Sequence, residues 1–281
     1  MQHHQISREN WPEAVSLLCE GFPGRDASFW NAGLNRWSEL VGDPFAEPLG
    51  ILTVDKNGDA HSVLLTFRTP ETWAADQQVN FSSWYVREKY RAFAPFVLKR
   101  LSDDETKTFT DFTPSTPVQQ MLRGLGYTEY HVQQLGFWTP LQAVRKGPVV
   151  LGMSEAMPYF LDEPGLTRAL TDHVKLGCIV LGIQTSSGVS PIVLRTKMRK
   201  RAVRCAEIIY CRDTALIAAN LPGISRQLLK TGVLVLEGDF PVSTELPSAF
   251  FDWGVTSKFV KGQWQQRQIN YLYSEVPVLG V

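Results

Sequence analysis

The chain has 281 residues, of which 44% are hydrophobic and 20% charged, and its 28 basic residues balance its 28 acidic ones. A chain of this size can build a core without disulfides or structural metals, and zero net charge gives no overall reason to expect nucleic acid or an anionic membrane as a partner. The cysteines lack zinc-type spacing, and no apolar run is long enough to cross a bilayer. We therefore expect a cytoplasmic protein with reduced cysteines, no metal site and no membrane span.

The first half of the sequence predicts the element order α-α-β-β-β-α-β-α-β. A first helix follows Asn10, which is expected to cap it, and a second helix spans residues 27–41. Strands at 49–55 and 60–67 flank an Asn-Gly pair, which is a strong hairpin signal. The remaining predicted elements of this half are a strand at 79–86, a helix at about 94–101, a strand at 107–113, a helix after Pro117 and a strand at 127–138.

The second half partly repeats this order after a connection at residues 139–150. The predicted elements are a helix at 165–176, strands at 178–184, 191–198 and 203–211, a helix from Asp213 to about 230, and strands at 233–238 and 269–279. Three strands followed by a helix and a strand occur in both halves, so the order indicates a structural repeat. The sequence thus predicts an α/β fold with mixed sheets in two lobes, at residues 1–138 and 151–281, joined by a linker at 139–150.

The stretch from residue 79 to 101 carries the clearest chemical signal. A strand leads through a short basic turn into an amphipathic helix, and the turn contains Arg87, Lys89 and Arg91. The start of a helix leaves several backbone N–H groups free, and together with the helix dipole they suit a phosphate group. The turn is therefore either a cradle for a diphosphate or a solvated connection, and the residues alone do not separate the two.

This stretch resembles the signature of the GNAT acyltransferase superfamily. In that family a strand ending in Val leads through a Tyr-Arg pair into a glycine-rich turn and a helix, and Val86, Tyr90-Arg91 and residues 92–96 occupy the matching positions here. Residues 122–127 (LRGLGY) are similar to a second family segment that ends in leucine, glycine and an aromatic residue. The resemblance covers about residues 8–138, and the second half resembles the fold in element order only.

The resemblance implies acetyl-CoA or another acyl-CoA as co-substrate, with a small-molecule or sugar acceptor whose amine or hydroxyl takes the acyl group. The pantetheine arm would lie along the third strand and the diphosphate on the amides of the turn. The residues that would contact CoA are Trp84, Tyr85, Val86, Arg91, Ala92, Phe93, Ala94 and Phe96.

Three positions depart from the family pattern. Ala94 and Phe96 fill both glycine positions of the turn, and a side chain there narrows the approach of a phosphate to the backbone. Leu122 replaces the tyrosine that serves many family members as the acid for the leaving thiolate. That role is therefore not transferred to residue 122.

The candidate catalytic residues are Asp111, Ser115 and Tyr127. Ligands gather at the carboxyl ends of strands in open α/β sheets, which is where Asp111 and Ser115 fall. Asp111 is a candidate general base, Ser115 either protonates the thiolate or caps the next helix, and Tyr127 is either an acid or a core residue. Ser82 and Ser83 alternate on the third strand, so one is expected to face the cleft and the other to point away.

Three classes of function remain open. The first is CoA-dependent acyl transfer by an enzyme, and the second is a non-catalytic binding or scaffold protein, for example in polysaccharide biosynthesis. The third is transfer from an aminoacyl-tRNA, against which the neutral net charge weighs. The basic run at 195–204 either binds a phosphate, nucleotide-sugar or acidic glycan or is a solvated turn.

Overall fold

The computed structural model describes residues 2–70, 77–242, 244, 246, 248–265 and 267–280. Its strands are β1 (Gln2–Gln5), β2 (Gly50–Val54), β3 (Ala60–Arg68), β4 (Gln77–Val86), β5 (Lys107–Asp111), β6 (Thr128–Trp138), β7 (Val150–Leu151), β8 (Ile179–Thr185), β9 (Gly188–Arg199), β10 (Val203–Cys211), β11 (Val235–Pro241), β12 (Phe251–Lys261) and β13 (Ile269–Asn270). Its α-helices are α1 (Trp11–Gly21), α2 (Ala27–Val41), α3 (Ala94–Leu101), α4 (Thr116–Gly124), α5 (Thr139–Ala143), α6 (Met153–Ala156), α7 (Pro164–Lys175), α8 (Ala215–Leu229) and α9 (Glu275–Leu279), and 3₁₀ helices span Glu88–Phe93 and Met157–Phe160.

Across these ranges, every strand belongs to one mixed sheet in the order β1-β2-β3-β4-β5-β12-β6-β11-β10-β9-β8-β7, with β13 beside β10. Neighbours are antiparallel except for β4 with β5 and β10 with β11, which are parallel. Each parallel pair ends a run of antiparallel strands, and a helix connects its two members, α3 in one half and α8 in the other. The fold is therefore the predicted α/β type, with two similar lobes that share one sheet.

Most predicted elements of the first half are confirmed. Helix α2 has the predicted bounds, and the strands from β2 to β6 fall within three residues of their predicted ends. The capping contact expected from Asn10 is wrong, because its side chain makes no bond to the amides of α1. It instead accepts from the Ser7 amide and donates to the Gln5 carbonyl, which fixes the loop before the helix.

The largest differences lie near the ends of the chain. The strand predicted at 269–279 is wrong: only β13 pairs there, and a buried turn and helix α9 follow. Strand β1, which precedes the first element of the predicted order, pairs with β2. Strand β12 was not predicted at all, and it lies between β5 and β6, so a segment from the second half completes the sheet of the first.

The first lobe packs different elements on its two sheet faces. Val63 and Leu65 of β3 join the main core with α1 and α2, whereas Leu64 between them joins a smaller cluster with Leu98 of α3 and Leu122 of α4. Successive strand residues point to opposite faces, so α1 and α2 cover one face and α3 and α4 the other. None of the described helices is long and apolar enough to span a bilayer.

Candidate functional site

A gap opens in the sheet between the carboxyl ends of β4 and β5. The two strands pair over residues 77–80 and 107–110, after which β4 continues to Val86 while β5 stops at Asp111. Among the described strands none pairs with this edge of β4 beyond Asn80. On this edge, the backbone polar groups of residues 84–86 therefore have no strand partner.

A bulge in β4 lies at the mouth of this gap. Ser82 is opposite Leu65 and Tyr85 is opposite Val63, so β4 has one more residue than β3 between these pairs. Ser83 has φ 48°, an uncommon backbone conformation for a residue with a side chain. Both Ser82 and Ser83 line the gap, with their hydroxyls 3.1 Å apart. The expectation that only one of them faces it is wrong, because the bulge interrupts the strict alternation of a regular strand.

Two cavities follow the gap. The first, which we call the cleft, has a volume of about 230 Å³ and is lined by both serines, Asp111 and Ser115. Its walls include Phe22 and Arg25 between α1 and α2, and Leu98 and Val118 of α3 and α4. Because these helices cover opposite faces of the sheet, the cleft passes through the sheet from one face to the other.

The second cavity, which we call the groove, has a volume of about 480 Å³ and runs between the end of β4, the start of α3 and the start of α4. It shares Trp84, Ser115 and Val118 with the cleft. The two cavities therefore adjoin along the free edge of β4. A long ligand can lie in the groove and place one end in the cleft.

The groove brings together five of the eight residues predicted to contact CoA. Its lining residues include Trp84, Tyr85, Val86, Arg91 and Ala94. Ala92, Phe93 and Phe96 are not among them. Phe96 is 72% exposed and Phe93 49%, so neither side chain fills the groove.

The turn itself differs from the open loop that the sequence pattern implied. Residues 88–93 form a 3₁₀ helix, in which the Tyr90 amide donates to the Arg87 carbonyl and the Ala94 amide to the Arg91 carbonyl. Pro95 has no amide hydrogen. Of the amides at residues 91–96 that were expected to face a diphosphate, that of Ala94 is thus used within the turn. The Arg91 side chain, whose Nε lies 3.3 Å from the Val86 carbonyl oxygen, is the positive group that lines the groove.

The other two basic residues of the turn lie elsewhere. Arg87 forms an ion pair with Glu20 at 2.7 Å and also donates to the Ala60 carbonyl. The Lys89 ammonium lies 5.5 Å from the centre of the Tyr90 ring and does not line the groove. Arg91 is therefore the member of the predicted basic cluster that faces this cavity.

Asp111 is half-buried at the floor of the cleft. Removal of its carboxylate from water raises its pKa to about 7, and the Thr113 amide and the charge of Lys258 oppose this rise only in part. Behind it lies Glu275, which is fully buried and accepts a 3.2 Å hydrogen bond from the Thr113 hydroxyl. Burial and the neighbouring Asp111 raise the pKa of Glu275 to about 8. Glu275 was not among the candidate catalytic residues, because the segment around it was interpreted as a strand.

Ser115 and Tyr127 have different surroundings. Ser115 occupies the N-cap position of α4, but its side chain makes no capping hydrogen bond, and it lines both cavities. Tyr127 is buried in the small apolar cluster with Leu98 and Leu122, which raises the pKa of its phenol, and it lines neither cavity. The structure therefore brings Asp111 and Ser115 together in the lining of the cleft and leaves Tyr127 outside both cavities.

The corresponding gap in the second lobe is filled by the chain itself. Strand β13 pairs with the end of β10, and Tyr271 donates its amide to the Ile209 carbonyl and its hydroxyl to Asp239. The C-terminal segment thus occupies the edge of β10 that β11 leaves open. No cluster of His, Cys, Asp and Glu side chains suited to a metal ion occurs in the described part of the chain.

Three of the six basic residues in the run at 195–204 are paired with acids of the sheet that carries the run. Arg195 pairs with Glu207, Arg199 with Glu237, and Lys197 with both acids. These side chains form a chain of alternating charges on neighbouring strands. This arrangement favours the structural interpretation of residues 195–204 over a phosphate site.

No protein-family model matches the sequence, and no curated protein matches it. The fold is similar to solved structures of N-acetyltransferases. A GCN5-related N-acetyltransferase from Kribbella flavida matches with a TM-score of 0.58 at 12% identity over 92% of this chain and 70% of that chain. One from Anabaena variabilis matches with a TM-score of 0.56 at 11% identity over 92% and 72%.

A third similar structure is a GCN5-related glucosamine N-acetyltransferase region of a fungal multi-domain β-N-acetylglucosaminidase, with a TM-score of 0.56 at 12% identity over 92% of this chain and 38% of that one. At sequence identities of 11–12%, these matches show similarity of the fold alone. The chain therefore has the fold of the GNAT superfamily, as its strand–turn–helix signature led us to expect.

Proposed function

We propose that this protein is a CoA-dependent acyltransferase that moves an acyl group, acetyl in the first instance, to an amine or hydroxyl of a small molecule or sugar. One observation carries the proposal: a groove along the unpaired edge of residues 84–86 adjoins a cleft that passes through the sheet beside Asp111. This arrangement provides a path for a long, thin donor from one face and an entrance for an acceptor from the other.

The free edge of β4 suits the pantetheine arm of an acyl-CoA. Backbone N–H and C=O groups of residues 84–86 have no strand partner there and match the amide groups of pantetheine. Arg91 at the groove would bind the diphosphate, because the 3₁₀ turn uses part of its own amides. The acyl end would then reach Ser82 and Ser83 in the cleft.

Asp111 is the residue that we assign to proton removal from the acceptor. A general base is most effective when its pKa is near the working pH, and burial raises the pKa of Asp111 to about 7. Ser115 lines both cavities and its hydroxyl is not engaged as a helix cap, and both observations support a role for it beside the leaving thiolate of CoA. We assign it the hydrogen bond to that thiolate.

The two lobes would contribute unequally. Residues 1–138 supply both cavities, and we infer that residues 151–281, which follow the connection at 139–150, mainly support them. Lys258 of β12 donates to the Phe112 carbonyl at 3.0 Å, and the Glu275 amide donates to Asn80 at 3.2 Å. We expect the protein to act in the cytoplasm, on substrates that diffuse to it.

A second candidate is a protein of the same fold that binds CoA or another ligand without turnover. The filled glycine positions and the amides used inside the turn favour it, because both reduce the contacts open to a diphosphate. Leu122, which is fully buried, also has no acidic proton to offer.

Acetyl-CoA binding and release of free CoA separate the two candidates. Acetyl-CoA at 100 times its dissociation constant should stabilise the protein by about 2.7 kcal/mol. Arg91→Glu should abolish this stabilisation without unfolding the protein, whereas Lys89→Glu, with the same charge change two residues away, should keep it. If acetyl-CoA stabilised Arg91→Glu as much as the wild type, the assignment of the groove as the CoA-binding site would be contradicted.

An acceptor panel then tests turnover. Release of free thiol with one amine or sugar would support the enzyme, whereas binding without release across the panel would support the non-catalytic candidate. Glucosamine belongs in the panel because one structural neighbour is a glucosamine N-acetyltransferase region.

A further inference from the structure

One positive charge at the cleft has no role in the proposed chemistry. Arg25 lies in the connection between α1 and α2 and lines the cleft on the face of the sheet opposite to α3 and α4. It is half-buried, and burial lowers the pKa of its guanidinium. It therefore stands at the entrance through which an acceptor would approach Asp111.

Three aromatic rings hold the Arg25 side chain. Its guanidinium carbon lies 4.9 Å from the ring centre of Phe29 and 5.7 Å from those of Phe22 and Trp30. Contacts of this kind use the flat face of a guanidinium and leave the N–H groups at its edge free to donate. The aromatic rings thus fix the position of the group without satisfying its hydrogen-bond donors.

No carboxylate of the described residues neutralises Arg25. Its guanidinium makes no ion pair or hydrogen bond within that part of the chain. The nearest acid in sequence, Asp26, accepts from the Ser28 hydroxyl at 2.6 Å and from the Phe29 amide at 3.0 Å. Glu20, at the end of α1, is bound by Arg87 and Tyr85. A half-buried cation with free donors facing a cavity is suited to binding an anion.

The cleft therefore has a positive group and a negative group among otherwise neutral lining residues. Arg25 stands on the α1–α2 side and Asp111 on the floor, with the hydroxyls of Ser82 and Ser83 also in the lining. An amine that carries an anionic group complements both charges, since its ammonium pairs with Asp111 before the proton is removed. An amine without an anionic group leaves the Arg25 guanidinium desolvated and unpaired, which is unfavourable.

We propose that Arg25 determines acceptor specificity by binding a carboxylate or phosphate group of the acceptor. The preferred substrates are then amines that carry such a group, for example amino acids or phosphorylated amino sugars. This inference rests on the proposed acyltransferase function, because it assigns the acceptor end of the same cleft. Arg25 is a substrate-binding residue in this proposal and takes no part in proton transfer.

Matched pairs of acceptors test the proposal. Alanine and glycine are each compared with their α-carboxamides, and glucosamine 6-phosphate with glucosamine, at constant ionic strength and saturating acetyl-CoA. The carboxylate pairs and the phosphate pair distinguish the two sources of negative charge. Two measurements are made for every acceptor: thiol release, and the thermal shift of the CoA-loaded protein, which reports binding even where turnover is slow.

In the wild type, either the acceptors with a carboxylate or the acceptor with a phosphate should have a higher kcat/KM than the partners that lack this group. Hydrogen bonds to charged groups contribute about 1.5–3 kcal/mol, so Arg25→Gln should lower kcat/KM for the anionic acceptor by about ten- to a hundredfold and change the neutral partner by less than about threefold. Arg8→Gln is the matched control, because Arg8 also stacks on an aromatic ring, Phe45 at 5.4 Å, but outside the cleft. It should leave both series unchanged.

Equal loss for the anionic and neutral members in Arg25→Gln would show that Arg25 only supports the fold, and would overturn the proposal. Equal binding of both members of every pair to the wild type would overturn it as well. If acetyl-CoA itself neither binds nor releases thiol, the acyltransferase function fails. An Arg25-dependent thermal shift with the anionic members would then still support an anion site at this position.

Discussion

The buried carboxyl of Glu275 should make the stability of this protein fall as the pH rises. Its pKa is raised from the ordinary value of 4.5 to about 8. Between these two values the folded state holds a proton that the unfolded chain has lost, so the stabilising contribution is complete below about pH 4.5 and is lost as the pH rises through 8. At about 1.4 kcal/mol per unit of pKa difference, the loss reaches about 5 kcal/mol at most.

Glu275→Gln removes this dependence because glutamine has the shape of the protonated acid and cannot ionise. At pH 4 the variant should be as stable as the wild type or slightly less so, since it keeps an acceptor for the Thr113 hydroxyl. At pH 9 it should be more stable than the wild type by a few kcal/mol. The quantity to measure is the difference in unfolding free energy between the two proteins, from urea denaturation at both pH values.

The control is Glu13→Gln, an exposed position with the same change in net charge. A difference between Glu275→Gln and the wild type that stays constant to within about 0.5 kcal/mol across the pH range would refute the reasoning. The carboxyl would then be ionised or protonated to the same extent in both states, and the arrangement of Asp111, Glu275 and Lys258 would need another explanation.

Two further predictions concern the base and the sheet. If Asp111 is the base, kcat/KM of the wild type should rise through about pH 7 to a plateau, because the ionised form is the active one and its pKa is about 7. Asp111→Asn should lower the plateau by about 10²- to 10⁴-fold and remove the rise. A rise that survives in this variant would exclude Asp111 as its origin. Gly50→Ala should destabilise the fold by at least about 2 kcal/mol, because Gly50 has φ +152° and a Cβ there would lie 2.1 Å from the Leu64 carbonyl oxygen. Gly24→Ala, where nothing lies within 4 Å of the added Cβ, is the control in thermal or urea unfolding, and equal effects at the two positions would contradict the argument.

Local patterns predicted the elements of the first lobe well because each has a strong period of its own. The apolar positions of α2 repeat at helical spacing, and β2 and β3 flank a hairpin turn. The end of β4 and the start of α3 were predicted as the CoA-binding segment, and Trp84, Tyr85, Val86 and Arg91 do line the groove. Sequence neighbours suffice for such a site because one strand–turn–helix unit carries most of it.

The cleft depended on contacts that no local pattern reveals. Ser83 faces it only because β4 bulges against β3, and Arg25 faces it because α1 and α2 pack across the sheet from Asp111. Glu275 approaches Asp111 from the far end of the chain, in a segment whose apolar residues predicted a strand. Burial of Arg25, Asp111 and Glu275 is a property of the assembled core. The shifts in the pKa of these three groups therefore follow from the tertiary structure.

The sequence by itself determined the α/β class, the repeated order of elements and the strand–turn–helix segment that lines the groove, since periodicity and turn residues act over a few positions at a time. Only the tertiary structure decided which lobe has an open gap. β12 from the second half joins β5 to β6 of the first, and β13 with Tyr271 closes the edge of β10. Strand pairing between segments far apart in sequence depends on the packing of the whole core, and no single stretch of residues encodes it.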